Sequence, residues 1–365
     1  MRVFFTGGGT GGHLYPALAI ARALVQVRPD VEPHFIGARR GLERDVLPST
    51  GFPHTLLDLY PLYRAAPWRN VATLRGLVSG WRTVAGLAAS ERPRLVVATG
   101  GYASSATLAY ARVRGIPFVL QESNAFPGKT VVWFSRWARE IYASFPEVAR
   151  RLPGQVRERV IDVGNPIEPP PAPRPDRGAA RAEWGFDATV TTVALVVGGS
   201  QGSAALNALV DAWIAGGLPP GVGVIWGTGK AHYTGHAGRE SSTVRVRPYL
   251  APIAEAYAAA DVAVSRAGSI TAELCAWGIP MYLVPLPTAA ADHQTANARA
   301  LGDAGAAAWI SEREATPAAL NAFVQSLSSN PARRRELTEG ALRRARPDAA
   351  HVIATRLDVL LRSRV

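Results

Sequence analysis

The segment VFFTGGGTGGH (residues 3–13) decides the fold, because an apolar run is followed directly by a glycine-rich turn. The run at residues 3–5 predicts a buried strand, and the apolar pattern after the turn predicts a helix over residues 13–27. Glycines let the backbone turn tightly and approach a ligand, and the N–H groups of the first helical turn favour anions. We therefore expect a strand, a glycine turn and a helix that together form a binding element.

A second unit of the same kind begins in the other half of the chain. The turn GGSQG (residues 198–202) directly follows an apolar run at residues 193–197 and precedes a predicted helix from Ser203. One such unit is a weak signal. Two of them, about 190 residues apart, predict two nucleotide-type α/β domains that face one cleft.

Length and composition agree with a two-domain enzyme. The chain has 365 residues, of which 48% are hydrophobic and 19% charged, and Cys275 is the only cysteine, so no internal disulfide can form. Strand-like and helix-like stretches alternate in both halves, which predicts parallel sheets. We expect a first domain at 1–165, a proline-rich linker at 166–175, a second domain at 176–345 and a C-terminal helix at 346–365 that packs back on the first domain.

The positive charge is concentrated in the first half of the chain. The net charge is +12, and residues 1–165 hold 21 Arg and Lys against 11 Asp and Glu, whereas residues 166–365 hold 19 against 17. This asymmetry indicates that the first half meets something anionic, such as nucleic acid, acidic lipid or a phosphorylated substrate. The N-terminus lacks the pattern of a secretion signal, so we expect the chain to act in the cytoplasm.

Several common nucleotide and metal sites can be tested on the residues. Gly7, Gly9 and Gly12 match the dinucleotide fingerprint, but an NAD site needs an acidic residue near the end of the second strand to bind the ribose hydroxyls. The predicted second strand ends at Arg39-Arg40, with no acid there. Two arginines could bind a 2′-phosphate, so an NADP enzyme stays an alternative. The residues after the turn, His13-Leu14, do not fit a Walker phosphate loop. No metal-binding motif is present, and we expect neither a metal nor a cofactor.

The motifs occur in an order that resembles one family of bacterial transferases. The stretches that carry the likeness are GGGTGGHLYPALAIA (7–21), ATGGYASS (98–105), QESNAFPGK (121–129), GNP (164–166), GGSQGS (198–203), SRAGSITAEL (265–274) and DHQTANA (292–298). They resemble the MurG family of UDP-N-acetylglucosamine:lipid I N-acetylglucosaminyltransferases, and the likeness covers roughly residues 1–345. It implies the GT-B fold, in which two Rossmann-like domains with parallel sheets face a deep cleft.

The resemblance also implies a reaction. Members transfer GlcNAc from UDP-GlcNAc to the C4 hydroxyl of MurNAc in lipid I, with inversion, to form lipid II for peptidoglycan. A single displacement needs a base for the acceptor hydroxyl and stabilisation of the departing UDP. A different GT-B enzyme with another lipid acceptor, such as diacylglycerol, would share the fold. A nucleic-acid binder is suggested by the pI alone, and we expect no nucleic-acid partner.

In the resemblance, the second domain holds the donor. The loop at residues 200–202 would meet the diphosphate, Glu273 would accept hydrogen bonds from the ribose hydroxyls, and Gln294 would hold the sugar. Arg266 and the backbone at Leu250 would line the uracil pocket. The full donor set is Ser200, Gln201, Gly202, Leu250, Arg266, Ser269, Ile270, Glu273, His293 and Gln294.

The first domain would hold lipid I. The turn residues expected to offer N–H donors to the acceptor diphosphate are Gly9, Thr10, Gly11 and Gly12. His13 is our candidate general base because a near-neutral pKa suits proton removal at pH 7. Glu122 competes for that role, and Tyr102 and Asn124 are expected to contact sugar.

Three residues depart from the family pattern. Gln121 and Ser123 replace the His and Gln that often flank the glutamate, so the resemblance assigns no role to those positions here. Glu168 stands where many members have an arginine that could meet the UDP phosphates. A carboxylate cannot replace that cation.

A lipid acceptor would explain the basic first half. Apolar residues recur with helical spacing over residues 68–88 beside Arg64, Arg69, Arg75 and Arg82, and Trp133, Phe134 and Trp137 lie near Lys129, Arg136 and Arg139. Such a mixture suits peripheral attachment to an anionic membrane surface, although a core-facing helix over 68–88 is an open alternative. We therefore expect a peripheral location on the cytoplasmic face of the plasma membrane.

Overall fold

The chain folds into two compact units. The structure, a computed structural model, describes residues 1–60, 68, 70–199 and 201–363. The first unit comprises Met1–Glu168 together with Pro347–Val365, and the second comprises Pro169–Arg346. Ser200, Arg64 and Arg69, which the sequence analysis singled out, lie outside the described residues.

The first unit alternates strands and helices along most of its length. Its elements before residue 168 are β1 (Arg2–Thr6), α1 (Gly11–Val27), β2 (Glu32–Ala38), α2 (Glu43–Val46), β3 (His54–Leu57), α3 (Asn70–Glu91), β4 (Leu95–Ala98), α4 (Ser105–Arg114), β5 (Phe118–Glu122), α5 (Lys129–Phe134), β6 (Ile141–Ala143) and β7 (Val160–Asp162).

The second unit repeats this alternation, and the chain then returns to the first unit. Its elements are α6 (Arg177–Glu183), β8 (Thr192–Val197), α7 (Ala204–Ala215), β9 (Val222–Gly227), α8 (Tyr233–His236), β10 (Val244–Arg247), α9 (Ile253–Ala259), β11 (Val262–Ser265), α10 (Ile270–Trp277), β12 (Met281–Leu283), α11 (His293–Asp303), β13 (Ala307–Trp309), α12 (Pro317–Ser329) and α13 (Pro331–Arg344). The last helix, α14 (Ala349–Arg362), belongs to the first unit.

Both sheets are parallel and have the strand order of doubly wound folds. Within the described residues the order is β3-β2-β1-β4-β5-β6-β7 in the first unit and β10-β9-β8-β11-β12-β13 in the second. Thr6 of β1 pairs with Ala98 of β4, and Val197 of β8 with Ser265 of β11. The strand order reverses at these two pairs, and ligands of such folds bind beside that reversal. The α/β class expected from the sequence, with a parallel sheet in each of two Rossmann-like units, is confirmed.

The central strands were the easiest to predict and the edge strands the hardest. All six residues of β8 are buried, and its run TVALVV is typical of a parallel strand covered on both faces. The strands β3, β7 and β13, which the apolar pattern of the sequence does not predict, all lie at sheet edges. They are short and mostly half-buried, so they lack the continuous apolar run that marks a central strand.

The C-terminal helix completes the core of the first unit. Helix α14 packs against α1, and its buried residues Ile353, Leu357 and Leu361 join the same apolar cluster as Ile20 and Leu24. An ion pair between Arg28 and Asp358, with a 3.0 Å Nη1–Oδ1 distance, joins the two helices. The last segment of the chain is therefore a structural part of the first unit.

We expect Ile353→Ala to lower the free energy of unfolding by about 2–5 kcal/mol, because Ile353 is fully buried and the change leaves a cavity. The measurement is urea denaturation followed by circular dichroism. Val359 lies on the same helix with 61% of its surface exposed, so Val359→Ala should change stability by less than about 0.5 kcal/mol. Equal effects of the two substitutions would contradict the docking of α14.

Candidate functional site

The glycine turn of the first unit lies between β1 and α1, beside the reversal of the strand order. Gly8 and Gly9 have φ angles of +150° and +91°, which favour glycine, and helix α1 begins at Gly11 with Thr10 as its N-cap. The carbonyl of Thr10 accepts hydrogen bonds from the N–H groups of His13 and Leu14. The turn therefore leads directly into a helix N-terminus, where an anion is favoured.

One amide of this turn has a different partner from the expected one. The N–H of Gly9 donates to Oε1 of Glu43 at 2.9 Å, and the N–H of Ala38 donates to the same oxygen at 3.1 Å. Glu43 is fully buried. In this structure a protein carboxylate takes the hydrogen that Gly9 was expected to offer to a bound diphosphate.

His13 is held by the loop that follows β4. Its Nδ1 lies 2.8 Å from the carbonyl oxygen of Thr99, and Oγ1 of Thr99 donates to the carbonyl of His13 at 2.8 Å. A carbonyl only accepts, so Nδ1 carries the proton and the lone pair of the neutral ring lies on Nε2. Such a tautomer can accept a proton at Nε2.

Tyr102 follows the same strand and packs on the turn. A Cβ built on Gly9 would lie 2.8 Å from Cε1 of Tyr102, which is closer than real side chains allow. The glycine at this position therefore makes room for the Tyr102 ring. Gly100 and Gly101, with φ angles of +93° and +77°, form the bend that brings the ring there.

Glu122, the second candidate base, holds its own loop together. It ends β5 with 2% of its surface exposed. Oε1 accepts from the backbone N–H and the Nδ2 group of Asn124 at 2.9 and 3.0 Å, and Oε2 accepts from the N–H of Gly128 at 2.8 Å. Burial raises the pKa of Glu122 to about 7, although these N–H donors act in the opposite direction. This geometry fits a residue that organises the 122–128 loop better than a base.

Two of the residues that depart from the family pattern, Gln121 and Ser123, have structural contacts. The Nε2 group of Gln121 donates to Oγ of Ser144 at 3.1 Å and to Oδ1 of Asn165 at 3.4 Å. Oγ of Ser123 lies 3.0 Å from the carbonyl of Gly12, to which it donates. Both side chains are buried, so these positions join the 121–124 segment to the glycine turn and to the neighbouring strands.

In the second unit, the turn after β8 is joined to the loop after β11. Oγ of Ser203 accepts from the N–H of Leu206 at 3.3 Å and so caps α7. The same oxygen lies 3.0 Å from Nε and 2.7 Å from Nη2 of Arg266. Gly202, with a φ angle of +78°, packs so closely on Thr228 that a side chain there would meet its carbonyl. Gln201, beside it, is exposed.

The side chain of Arg266 is used within the protein. It is 5% exposed, its Nη1 donates to the carbonyls of Val284 and Pro285 at 2.9 and 3.2 Å, and its Nη2 pairs with Glu312. The sequence analysis expected Arg266 to line a uracil pocket. In the structure its guanidinium braces three loops, and a contact between Arg266 and uracil stays a prediction.

Glu273 is oriented by a tyrosine that the sequence analysis did not identify. Glu273 lies in the first turn of α10, after Ser269 and Ile270, and its Oε2 accepts from the hydroxyl of Tyr257 at 2.6 Å. Burial and the neighbouring Glu273 carboxylate raise the pKa of Tyr257, so the hydroxyl stays a donor. Leu250, which is buried, packs on Gly227 at the end of β9.

The last predicted donor segment begins helix α11. Oε1 of Gln294 accepts from the N–H of Leu286 at 2.9 Å, and Nδ1 of His293 lies 2.8 Å from the carbonyl of Ala290. Nδ2 of the buried Asn297 donates to the carbonyl of Ala267 at 2.9 Å. Asn297 therefore ties α11 to the loop after β11, which is a structural contact.

Sequence reasoning missed Glu43, Thr99 and Tyr257. Glu43 lies five residues after the end of β2, beyond the position at which an acid was sought. Tyr257 lies 16 residues before Glu273, on a different helix. No local pattern marks these contacts, because each joins segments that only the fold brings together.

Both halves of the chain match models of one glycosyltransferase family. Residues 3–143 match the N-terminal domain of glycosyltransferase family 28, and residues 193–353 match its C-terminal domain. Among curated relatives, a UDP-N-acetylglucosamine–N-acetylmuramyl-(pentapeptide) pyrophosphoryl-undecaprenol N-acetylglucosamine transferase of Salinibacter ruber is 39% identical over 96% of this chain and 95% of its own. A relative of the same name from Moorella thermoacetica is 36% identical over 97% of both chains.

Solved structures agree with these matches. Acinetobacter baumannii MurG is 27% identical and superposes with a TM-score of 0.74 over 98% of this chain and 99% of its own. The calicheamicin glycosyltransferase CalG4 has a TM-score of 0.70 at 17% identity, over 100% of this chain and 99% of its own, a likeness of fold alone.

The raised pKa of Glu122 predicts a pH-dependent stability. Between pH 4.5 and about 7 the native carboxyl keeps a proton that the unfolded chain has released, so stability should fall as pH rises through this window and level off above it. The fall should be roughly 3 kcal/mol. Glu122→Gln cannot ionise and should lack this slope, as measured by urea denaturation at a series of pH values.

The control for this experiment is Glu158→Gln, which changes an exposed carboxyl of the same unit. It should keep the wild-type pH dependence. A Glu122→Gln variant whose stability falls as steeply as that of the wild type over the same window would contradict the assignment.

Proposed function

The chain belongs to the MurG family within glycosyltransferase family 28, and from this membership we propose that it transfers GlcNAc from UDP-GlcNAc to the C4 hydroxyl of MurNAc in lipid I, forming lipid II for peptidoglycan. The observation that carries the proposal is the match, at 32–39% identity over nearly the whole chain, to curated relatives that are all named for this transfer. A different lipid acceptor is not favoured.

On the acceptor side, His13 is the proposed general base. Because the carbonyl of Thr99 accepts from Nδ1, Nε2 is the ring nitrogen proposed to take the proton of the attacking hydroxyl. The N-terminal amides of α1, at Gly11 and Gly12, would receive the acceptor diphosphate. Tyr102 and Asn124 are proposed to meet the sugar from the loops after β4 and β5. Glu122 supports this site by shaping the loop of Asn124.

On the donor side, Glu273 is proposed to accept hydrogen bonds from the ribose hydroxyls. The hydroxyl of Tyr257 donates to Oε2 of Glu273, and this hydrogen bond orients the carboxylate. The diphosphate would lie at the N-terminus of α7, beside Gln201 and Gly202. A helix N-terminus contributes about 0.3–1 kcal/mol to an exposed anion and up to about 2 kcal/mol when partly buried. Arg266 supports this element through the Ser203 cap.

We expect acceptor-dependent release of UDP from UDP-GlcNAc with a short-chain lipid I analogue. His13→Ala should lower kcat by about 10²–10⁴-fold, because proton removal from the hydroxyl loses its base. Glu273→Ala should raise the KM for UDP-GlcNAc by at least about tenfold, because two hydrogen bonds to a charged group are lost. The measurement is steady-state kinetics with a coupled UDP assay.

Exposed residues of the same types provide the controls. His351→Ala on α14 and Glu255→Ala on α9 should leave both constants near the wild-type values. Turnover with a diacylglycerol acceptor but none with the lipid I analogue would overturn the proposed acceptor and leave the fold assignment intact.

We also propose that the first unit binds an anionic membrane surface peripherally, on the cytoplasmic face. Helix α3 has two distinct sides. Its buried side consists of Thr73, Gly76, Gly80, Val84 and Ala88, whereas Trp68, just before it, and Val71, Leu74 and Val78 are 48–74% exposed at spacings of three or four residues. The alternative interpretation of this segment, a helix that packs on the core, therefore applies to only one side of α3.

A second exposed aromatic group supports the same proposal. Trp133 and Trp137 are 56% and 45% exposed, and the guanidinium of Arg112 lies 5.1 Å from the Trp137 ring centroid. Exposed tryptophans beside arginines suit the interface of an anionic bilayer. No helix within the described residues combines the length and hydrophobicity of a membrane span.

The membrane proposal predicts co-sedimentation with vesicles that contain anionic phosphatidylglycerol at low salt. The double variant Val71→Ser/Leu74→Ser should lower the ratio of vesicle-bound to free protein at least about tenfold, because two exposed apolar side chains no longer insert into the bilayer. Leu342→Ser, which changes an exposed leucine of the second unit, should bind like the wild type. Failure of the wild-type protein to sediment at low salt would overturn the proposal.

A further inference from the structure

Glu43 is a fully buried carboxylate that neither the family resemblance nor the proposed mechanism uses. It begins the short helix α2, after the end of β2, and none of its surface is exposed. Within the described part of the chain its Oε2 atom is buried and has no hydrogen-bond partner. A buried oxygen without a partner costs stability, so the packing of the core alone does not explain this side chain.

The other oxygen of Glu43 joins two segments at the carboxyl edge of the sheet. Oε1 accepts from the N–H of Gly9 in the turn after β1 and from the N–H of Ala38, the last residue of β2. One donor follows β1 and the other ends β2, and these two strands pair in parallel. The carboxylate therefore fixes the glycine turn to the end of the next strand.

Three glycines leave the space that this side chain fills. A Cβ on Gly8 or Gly41 would overlap the carboxylate of Glu43, and a Cβ on Gly37 would lie 2.8 Å from its Cγ. Only one of these glycines, Gly8, belongs to the turn itself. Glycine at Gly8 is thus required by Glu43, independently of any ligand that approaches the turn.

We propose that Glu43 is a positioning residue for the acceptor side of the reaction. By accepting from the N–H of Gly9, Glu43 sets the conformation of residues 7–10. This conformation in turn determines where the Tyr102 ring packs on Gly9 and where His13 lies in the first turn of α1. Glu43 also takes the Gly9 N–H away from a bound phosphate, which assigns the acceptor diphosphate to the amides of Gly11 and Gly12. The link between Glu43 and the acceptor rests on the proposed function, whereas the hydrogen bonds by which Glu43 fixes the turn do not depend on that function.

The first test measures the turn directly and needs no activity. In protein labelled with ¹⁵N-glycine, we expect amide hydrogen exchange at Gly9 to become at least about tenfold faster in Glu43→Ala, because its acceptor is lost. Glu43→Gln keeps a carbonyl oxygen at the same position and should retain most of the protection. Unchanged exchange at Gly9 in Glu43→Ala would overturn the proposal.

The second test separates positioning from a general loss of stability. In Glu43→Ala, we expect the KM for the lipid I analogue to rise at least about fivefold and kcat to fall, with the KM for UDP-GlcNAc unchanged within about twofold, since Glu43 belongs to the first unit. Glu43→Gln should recover most of this loss. Asp45→Ala, an exposed change on the same helix, should match the wild type.

The outcomes of the two tests are distinct. Equal changes in both KM values, or no recovery in Glu43→Gln when exchange at Gly9 is normal, would overturn the positioning role. A wild-type protein that does not act on lipid I would overturn the proposed function, whereas the exchange experiment would still decide whether Glu43 holds the turn.

Discussion

In each unit the chain reverses the order of its strands beside the first one, and this reversal determines where the functional loops lie. Strands β1 and β4 are neighbours, but the strands that follow β1 extend the sheet towards one edge and those that follow β4 towards the other, and the same is true of β8 and β11. Loops that leave such a pair diverge and leave room for a ligand between them. In the first unit His13 and Thr99 connect the two loops, and in the second unit Ser203 and Arg266 do so.

The two units stabilise these loops with groups of opposite charge. In the first unit, buried carboxylates accept from backbone N–H groups: Glu43 holds Gly9, and Glu122 holds Gly128. In the second unit, the buried guanidinium of Arg266 donates to backbone carbonyls. Loops cannot satisfy their own polar groups as helices and sheets do, and an unpaired buried group is costly. A charged side chain inside each site therefore replaces the missing hydrogen bonds.

The first unit combines two properties that a lipid-linked acceptor would need. Its net charge is strongly positive, and helix α3 presents small residues to the interior and large apolar residues to the outside. Small residues such as Gly76 and Gly80 let α3 approach the rest of the unit closely, and Gly80 packs near Ala106 of α4. This close packing leaves the larger side chains of the helix for the opposite surface.

The sequence by itself determined the α/β class, the two glycine turns, the central strands and the family, because these depend on local patterns and on motifs read in order. The glycine turns were predicted from the apolar runs that precede them, and the motif SRAGSITAEL supplied the prediction for Glu273. Only the tertiary structure decided the edge strands β3, β7 and β13, because they lack a continuous apolar run. It also decided which side of α3 is buried, because a core-facing helix and a helix with an exposed apolar side have the same apolar periodicity. It also decided that Arg266 braces loops and that Glu43 takes the Gly9 N–H. Such contacts join residues far apart in the chain, and a hydrogen bond between them depends on where the fold brings each atom.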